Sequence, residues 1–152
     1  FGEIEFRAPL RLQVSLHGPS DEIRSRIIPV TKTLAEILAA TRAYRTLCGR
    51  LLEWNYVMCA GVNDQPEYAE QLATLLGSGW RVRFGRLNMT PGSPFHASPP
   101  ERVEQFRMIL ELHGIATKYF ETDESEITSG CGQLSYHFVA GQPPVPKSQS
   151  AM

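Results

Sequence analysis

The sequence predicts an α/β protein: a parallel sheet of strand–helix repeats, amounting to about half of a β/α barrel. Three observations carry that reading. Short runs alternate apolar and polar residues, the runs between them repeat apolar residues at helical spacing, and glycine or proline marks most changes of period. Strand and helix alternate at near-regular spacing, and units of that kind cross over right-handed to give parallel strands.

"RLQVSLHGP" opens the series, with Leu12, Val14 and Leu16 on one side, Gln13, Ser15 and His17 on the other, and a Gly-Pro stop. The alternation puts Ser15 and His17 on one polar strand face. "TLAEILAATRAYRTLCG" follows as an amphipathic helix carrying Leu34, Ile37, Leu38, Tyr44 and Leu47, opened by the capping box Thr33-x-x-Glu36 and stopped at Gly49.

The pattern recurs twice. "LLEWNYVMCAGV" reads as a strand, and "NDQPEYAEQLATLLGSG" as a helix with Asp64-x-x-Glu67 at its start, Pro66 in its first turn and Gly77 at its end. "WRVRFGRLNMTPGSPF" is a third strand running into a Pro/Gly loop. "SPPERVEQFRMILELHG" adds a third capping box, Ser98-x-x-Glu101, then Val103, Phe106, Ile109 and Leu110, and ends at Gly114. "IATKYFE" is the fourth strand. Residues 1–138 form the domain, and the Pro/Ser-rich stretch 139–152 reads as a disordered tail.

The chain has 152 residues, a formal net charge of -1 and 42% hydrophobic residues, as an ordinary soluble globular domain does. No apolar run is long enough to span a membrane, so the expected location is the cytoplasm and no membrane partner is expected. The abrupt start at Phe1 suggests a piece of a longer polypeptide. Residues 1–120 hold 14 Lys and Arg against 12 Asp and Glu, whereas 121–126 hold four acids and no base. Phosphate contacts are permitted by that Arg-rich body but not demanded. Cys48, Cys59 and Cys131 are odd in number and none has a metal-ligand spacing, which argues against a disulfide framework, and no metal ligands are assigned in this chain. A Gly-x-Ser-x-Gly elbow, a Gly-x-Gly-x-x-Gly run and a P-loop are all missing.

Chemistry in β/α folds gathers at the C-terminal ends of the strands. Those ends carry Ser15 and His17, then Cys59 and Asn63, then Asn88 with "MTPGS", then the segment around Cys131. Each has a plainer reading: Ser15 and His17 as a strand edge or a satisfied buried histidine, Asn88 as local turn chemistry, Cys48 and Cys59 as structural. Cys131, between Gly130 and Gly132, is either an accessible reactive thiol or a small apolar residue in a turn.

In order along the chain, "LQVSLHGPSDEIRSRIIPV", "YVMCAGVND", "LNMTPGSPF" and "CGQL" resemble the C-terminal half of the radical SAM adenine C-2 methyltransferases of RNA, the RlmN/Cfr type. The resemblance covers about residues 10–134. It implies half of a radical SAM partial (β/α)6 barrel, with Ser15, Leu16, His17 and Asn88 contacting S-adenosylmethionine and Cys131 as the methyl-carrying catalytic cysteine. It further implies a [4Fe-4S] cluster held by an N-terminal part not represented here, rRNA or tRNA as substrate, and a methyl group delivered to adenine C-2 through methylated Cys131. Asn55 stands where the family usually has Glu, and Asp123-Glu124 where it has Arg-Gly. Acids there favour the protonated thiol. The chain alone is expected to be inactive and its open sheet edge to permit a homodimer. The alternatives are a non-catalytic remnant that binds RNA or a partner, and a radical SAM enzyme with another substrate.

Overall fold

A computed structural model describes residues 12–29, 32–49, 52–85, 87 and 92–119. In chain order these form β1 (Leu12–Ser15), α1 (Asp21–Ser25), α2 (Leu34–Cys48), β2 (Leu52–Val57), α3 (Pro66–Leu76), β3 (Arg81–Gly85), α4 (Pro100–Leu112) and β4 (Ala116–Tyr119). The four strands make one parallel sheet in the order β1-β2-β3-β4, with Val14 beside Trp54, Trp54 beside Val82, and Val82 beside Thr117. The predicted strand–helix alternation is therefore present. Among the described residues no helix is long and apolar enough to cross a membrane.

One face of the sheet carries the core. Along β2 burial alternates, so Leu52, Trp54 and Tyr56 turn toward the helices while Glu53, Asn55 and Val57 turn to the other face. Leu38 and Tyr44 of α2, Leu72 and Leu76 of α3, and Phe106 and Leu110 of α4 pack on that apolar face. Tyr56 and Phe84 meet Phe106 with ring centroids 5.2 and 6.0 Å apart. Each such large side chain withdrawn from water contributes about 1.5–3 kcal/mol, enough to hold short strands in register. Leu47, expected on the buried stripe of α2, is instead 77% exposed in its last turn.

Local signals at the helix ends were legible in part. At α2 the capping box forms as predicted: the Glu36 N–H donates to Thr33 Oγ1 at 3.2 Å and the Thr33 N–H to Glu36 Oε2 at 2.9 Å. Gly49 closes this helix with φ 61°. The other two predicted boxes do not form. α3 and α4 begin at Pro66 and Pro100, so the capping positions fall on Gln65 and Pro99, one residue beyond Asp64 and Ser98. Proline at the first helical position needs no N–H partner and fixes φ, which moves the start. The Asp64 carboxylate instead accepts from the Gly61 N–H at 2.9 Å, while Ser98 Oγ is buried with no partner among the described residues.

The short helix α1 was not predicted. Its cap is Ser20, whose hydroxyl accepts from the Ile23 N–H at 3.3 Å. Gly18 lets it sit close, since a Cβ there would lie 2.9 Å from Ile23 Cγ2 and 3.1 Å from the Arg24 nitrogen. Residues 1–11 and everything from 120 onward lie outside the described residues, and so do Asn88, Asp123, Glu124, Cys131 and the 139–152 tail.

Candidate cofactor rim

The C-terminal ends of β1 and β2 are tied by a hydrogen-bonded clasp. β1 stops at Ser15, an exposed residue in register with Asn55. Leu16, fully buried, continues the ladder for one bond, its N–H donating to the Asn55 carbonyl at 2.9 Å. His17 then takes a left-handed backbone with φ 56°, uncommon outside glycine, and is only 8% exposed. The strand alternation therefore does not extend to His17, and the expectation that it shares a strand face with Ser15 is corrected by this bend.

His17 Nδ1 accepts the Val57 N–H at 3.1 Å, at the end of the neighbouring strand. Acceptance at Nδ1 puts the proton of the neutral ring on Nε2. Burial, and then the positive charge of Arg24, hold its pKa at about 4, so the ring is neutral near pH 7. Arg24, 3% exposed, donates from Nε to the Leu16 carbonyl at 3.0 Å and from a terminal nitrogen to Asp21 Oδ1 at 3.3 Å. The α1 helix thus braces the rim through Arg24.

Asn63, in the turn after β2, completes the clasp. Its Nδ2 donates to the His17 carbonyl at 2.9 Å and to the Val57 carbonyl at 2.8 Å, and its Oδ1 accepts the Cys59 N–H at 2.7 Å. Its side chain is fully buried. A planar amide with two donors and an acceptor is the group that can serve three backbone sites at once. The sequence put Asn63 on this rim but gave no sign of which groups it meets, and Arg24 carried no signal at all.

Cys59 is also fully buried, and burial followed by the Asp64 charge raises its thiol pKa, so it is a packing residue here. It bridges to Ala97 while the Ala60 N–H donates to the His96 carbonyl at 2.8 Å, joining the end of β2 to the loop before α4.

The polar face of the sheet leads up to Ser15. Gln13 Nε2 donates to Glu53 at 3.4 Å, Asn55 Nδ2 to Gln13 at 3.4 Å, and Arg81 and Arg83 reach the Glu53 carboxylate at 3.2 and 3.8 Å. Such a face, hydrogen-bonded and half-exposed, suits a ligand with several polar groups more than an apolar partner. A separate cavity of about 940 Å³ lies on the helix side, between Phe84, Leu87, Val103 and Tyr119, and neither Ser15 nor His17 lines it.

Among the described residues no group of three or more His, Cys, Asp or Glu side chains could hold a metal ion. Cys48 and Cys59, the free cysteines described, are half-buried and buried, so this part does not fit an iron–sulfur cluster. The exposed Ser15 hydroxyl and the polar face beside it suit a ligand with several polar groups at the strand ends.

No family model matches the chain. It is 42% identical over 134 residues to a probable dual-specificity RNA methyltransferase RlmN of Symbiobacterium thermophilum, across 83% of this chain and 35% of that protein. It is 40% identical over 140 residues to a protein of the same description from Parafrankia, across 90% of this chain and 35% of that protein. The chain spans about a third of the length of these curated relatives, in their C-terminal part. Among solved structures it superposes on a radical SAM methyltransferase from Sphaerobacter thermophilus with a TM-score of 0.79 and 36% identity, across 87% of this chain and 39% of that one.

Proposed function

We propose that this chain, a homologue of the C-terminal part of the RlmN-type radical SAM RNA methyltransferases, supplies the S-adenosylmethionine rim and the methyl-accepting cysteine of such an enzyme. The substrate on this reading is rRNA or tRNA, and the methyl-derived carbon ends on adenine C-2. The observation that carries it is the coincidence of homology and geometry: the segment "SLH" that the resemblance assigns to the cofactor starts at the last residue of β1 and makes the bend that follows it.

S-adenosylmethionine, when bound, supplies an electrophilic methyl group on a sulfonium sulfur. Ser15 and His17 hold it at the strand ends through the Ser15 hydroxyl and the His17 Nε2–H, and Asn88 adds its side-chain amide. The Cys131 thiol would first lose its proton to solvent water, since the thiolate is the nucleophile. Its sulfur would then bond to the methyl carbon as the sulfonium C–S bond breaks, with that electron pair left on the departing thioether sulfur. Holding nucleophile and methyl in contact is what the rim contributes. The [4Fe-4S] cluster and the delivery to adenine C-2 are assigned to polypeptide other than the described residues. β1 is an outermost strand of the described sheet, and we assign its free edge to pairing with a further strand, of the same polypeptide or of a second copy.

RNA methylation by the complete polypeptide tests the reading. With Cys131→Ala, methylated adenine in RNA is expected to fall to background while S-adenosylmethionine is still bound. Unchanged methylation would overturn the role of Cys131. Absence of S-adenosylmethionine binding by the wild type would instead favour a non-catalytic remnant.

A further inference from the structure

Asn63 is fully buried, and its side-chain amide joins three backbone sites at the ends of β1 and β2. Its two donated bonds hold the His17 and Val57 carbonyls beside each other. Between those same two residues runs the bond from the Val57 N–H to His17 Nδ1 at 3.1 Å. His17 is thus gripped twice, at its backbone by Asn63 and at its ring by the strand that Asn63 also grips. His17 Nε2 bonds to none of the described residues.

We propose that Asn63 is a positioning residue: by clasping β1 to β2 it fixes the left-handed bend at His17 and one ring tautomer, so that Nε2–H is a permanent donor to an acceptor atom of the nucleoside ligand. The ligand half of this inference rests on the cofactor reading above, and the tautomer half stands on the clasp alone. The ring does not change this role with modest acidification, because burial, the charge of Arg24 from α1 and the Val57 N–H that occupies Nδ1 all disfavour a second ring proton. Arg24 is the charged one of these, and Asp21 is paired to it at 3.3 Å.

An acid at this position is the informative change. Asn63→Asp keeps an oxygen for the Cys59 N–H but sets a second carboxylate oxygen against the two carbonyls that the amide used to serve. Asn63→Ser, smaller and still able to donate, guards against a variant that does not fold, and Leu72→Ala on α3 is a destabilised control remote from the rim.

Ring nitrogen chemical shifts of His17, exchange of the Val57 amide and affinity for S-adenosylmethionine are measured on the complete polypeptide. In the wild type and in Leu72→Ala the expected ring is the Nε2–H tautomer. In Asn63→Asp or Asn63→Ser the tautomers mix, the Val57 amide exchanges about tenfold faster or more, and affinity falls about tenfold relative to Leu72→Ala, as the loss of buried hydrogen bonds implies. A wild-type Nδ1–H ring, or Asn63 variants that keep both the tautomer and the affinity of the control, overturns the proposal. Loss of the tautomer in the variants with no ligand binding by the wild type supports the clasp and overturns the cofactor reading.

Discussion

The Tyr56 hydroxyl donates to the Asn63 carbonyl at 2.8 Å, so the apolar face of β2 and the turn that carries the rim share one buried hydrogen bond. Burial raises the pKa of this phenol above its ordinary value, followed by the charge of Asp64, which keeps the proton on the oxygen and the bond intact at any working pH.

Removing that bond alone is a small, local change. Tyr56→Phe leaves the ring against Phe106 and strands one buried carbonyl, so the expected cost is about 1–2 kcal/mol of unfolding free energy. Urea denaturation of the two proteins side by side measures it. Equal midpoints would mean that the hydroxyl is satisfied by water and that the turn does not lean on β2.

Acid should weaken the fold through His17. Its folded pKa, about 4, lies below the ordinary value of 6.5, so the unfolded chain takes up a proton that the fold resists. Stability is therefore full above pH 6.5 and is lost as pH falls from 6.5 toward 4, by a contribution of about 3 kcal/mol at the lower end. Thermal midpoints of wild type and His17→Gln between those limits report it. The wild type should fall more steeply, and parallel curves would show a histidine that titrates freely.

Gly18 permits the contact that seats α1. A methyl group in its place would stand 2.9 Å from Ile23 Cγ2, with the Arg24 nitrogen 3.1 Å away, and the neighbour is a packed β-branched side chain. Gly18→Ala should cost about 1–3 kcal/mol by overpacking and shift the brace that Arg24 gives to Leu16. A stability gain, of the kind that alanine gives at an unstrained glycine, would show that α1 is free to move aside.

What the sequence revealed follows from how local each signal is. Alternation at Leu12, Val14 and Leu16, and helical spacing through Leu34, Leu38 and Tyr44, are properties of a few neighbouring residues, and all four strands and the three longer helices were readable from them. Thr33 and Glu36 form a cap between residues three apart, so that too was legible. Asp64 and Ser98 looked the same but lost to the prolines beside them, which reset the helix start. The α1 helix, five residues long, is too short for a period to show. The clasp was hidden for a different reason: Asn63 and His17 are 46 residues apart, and nothing in either local pattern names the other. Asn88 and Cys131 were placed at the strand ends by the order of the elements and given roles by a resemblance, and both lie outside the described residues.

Methylation of Cys131 tests the central claim most directly. The complete polypeptide, isolated from cells in which it is active, is digested and the peptide spanning Cys131 is weighed and fragmented. The account predicts a fraction of that peptide heavier by one methyl group on the cysteine sulfur, absent when Ser15 and His17 are both replaced by alanine in a protein that still folds. An active enzyme whose Cys131 carries only a free thiol in every preparation would contradict it.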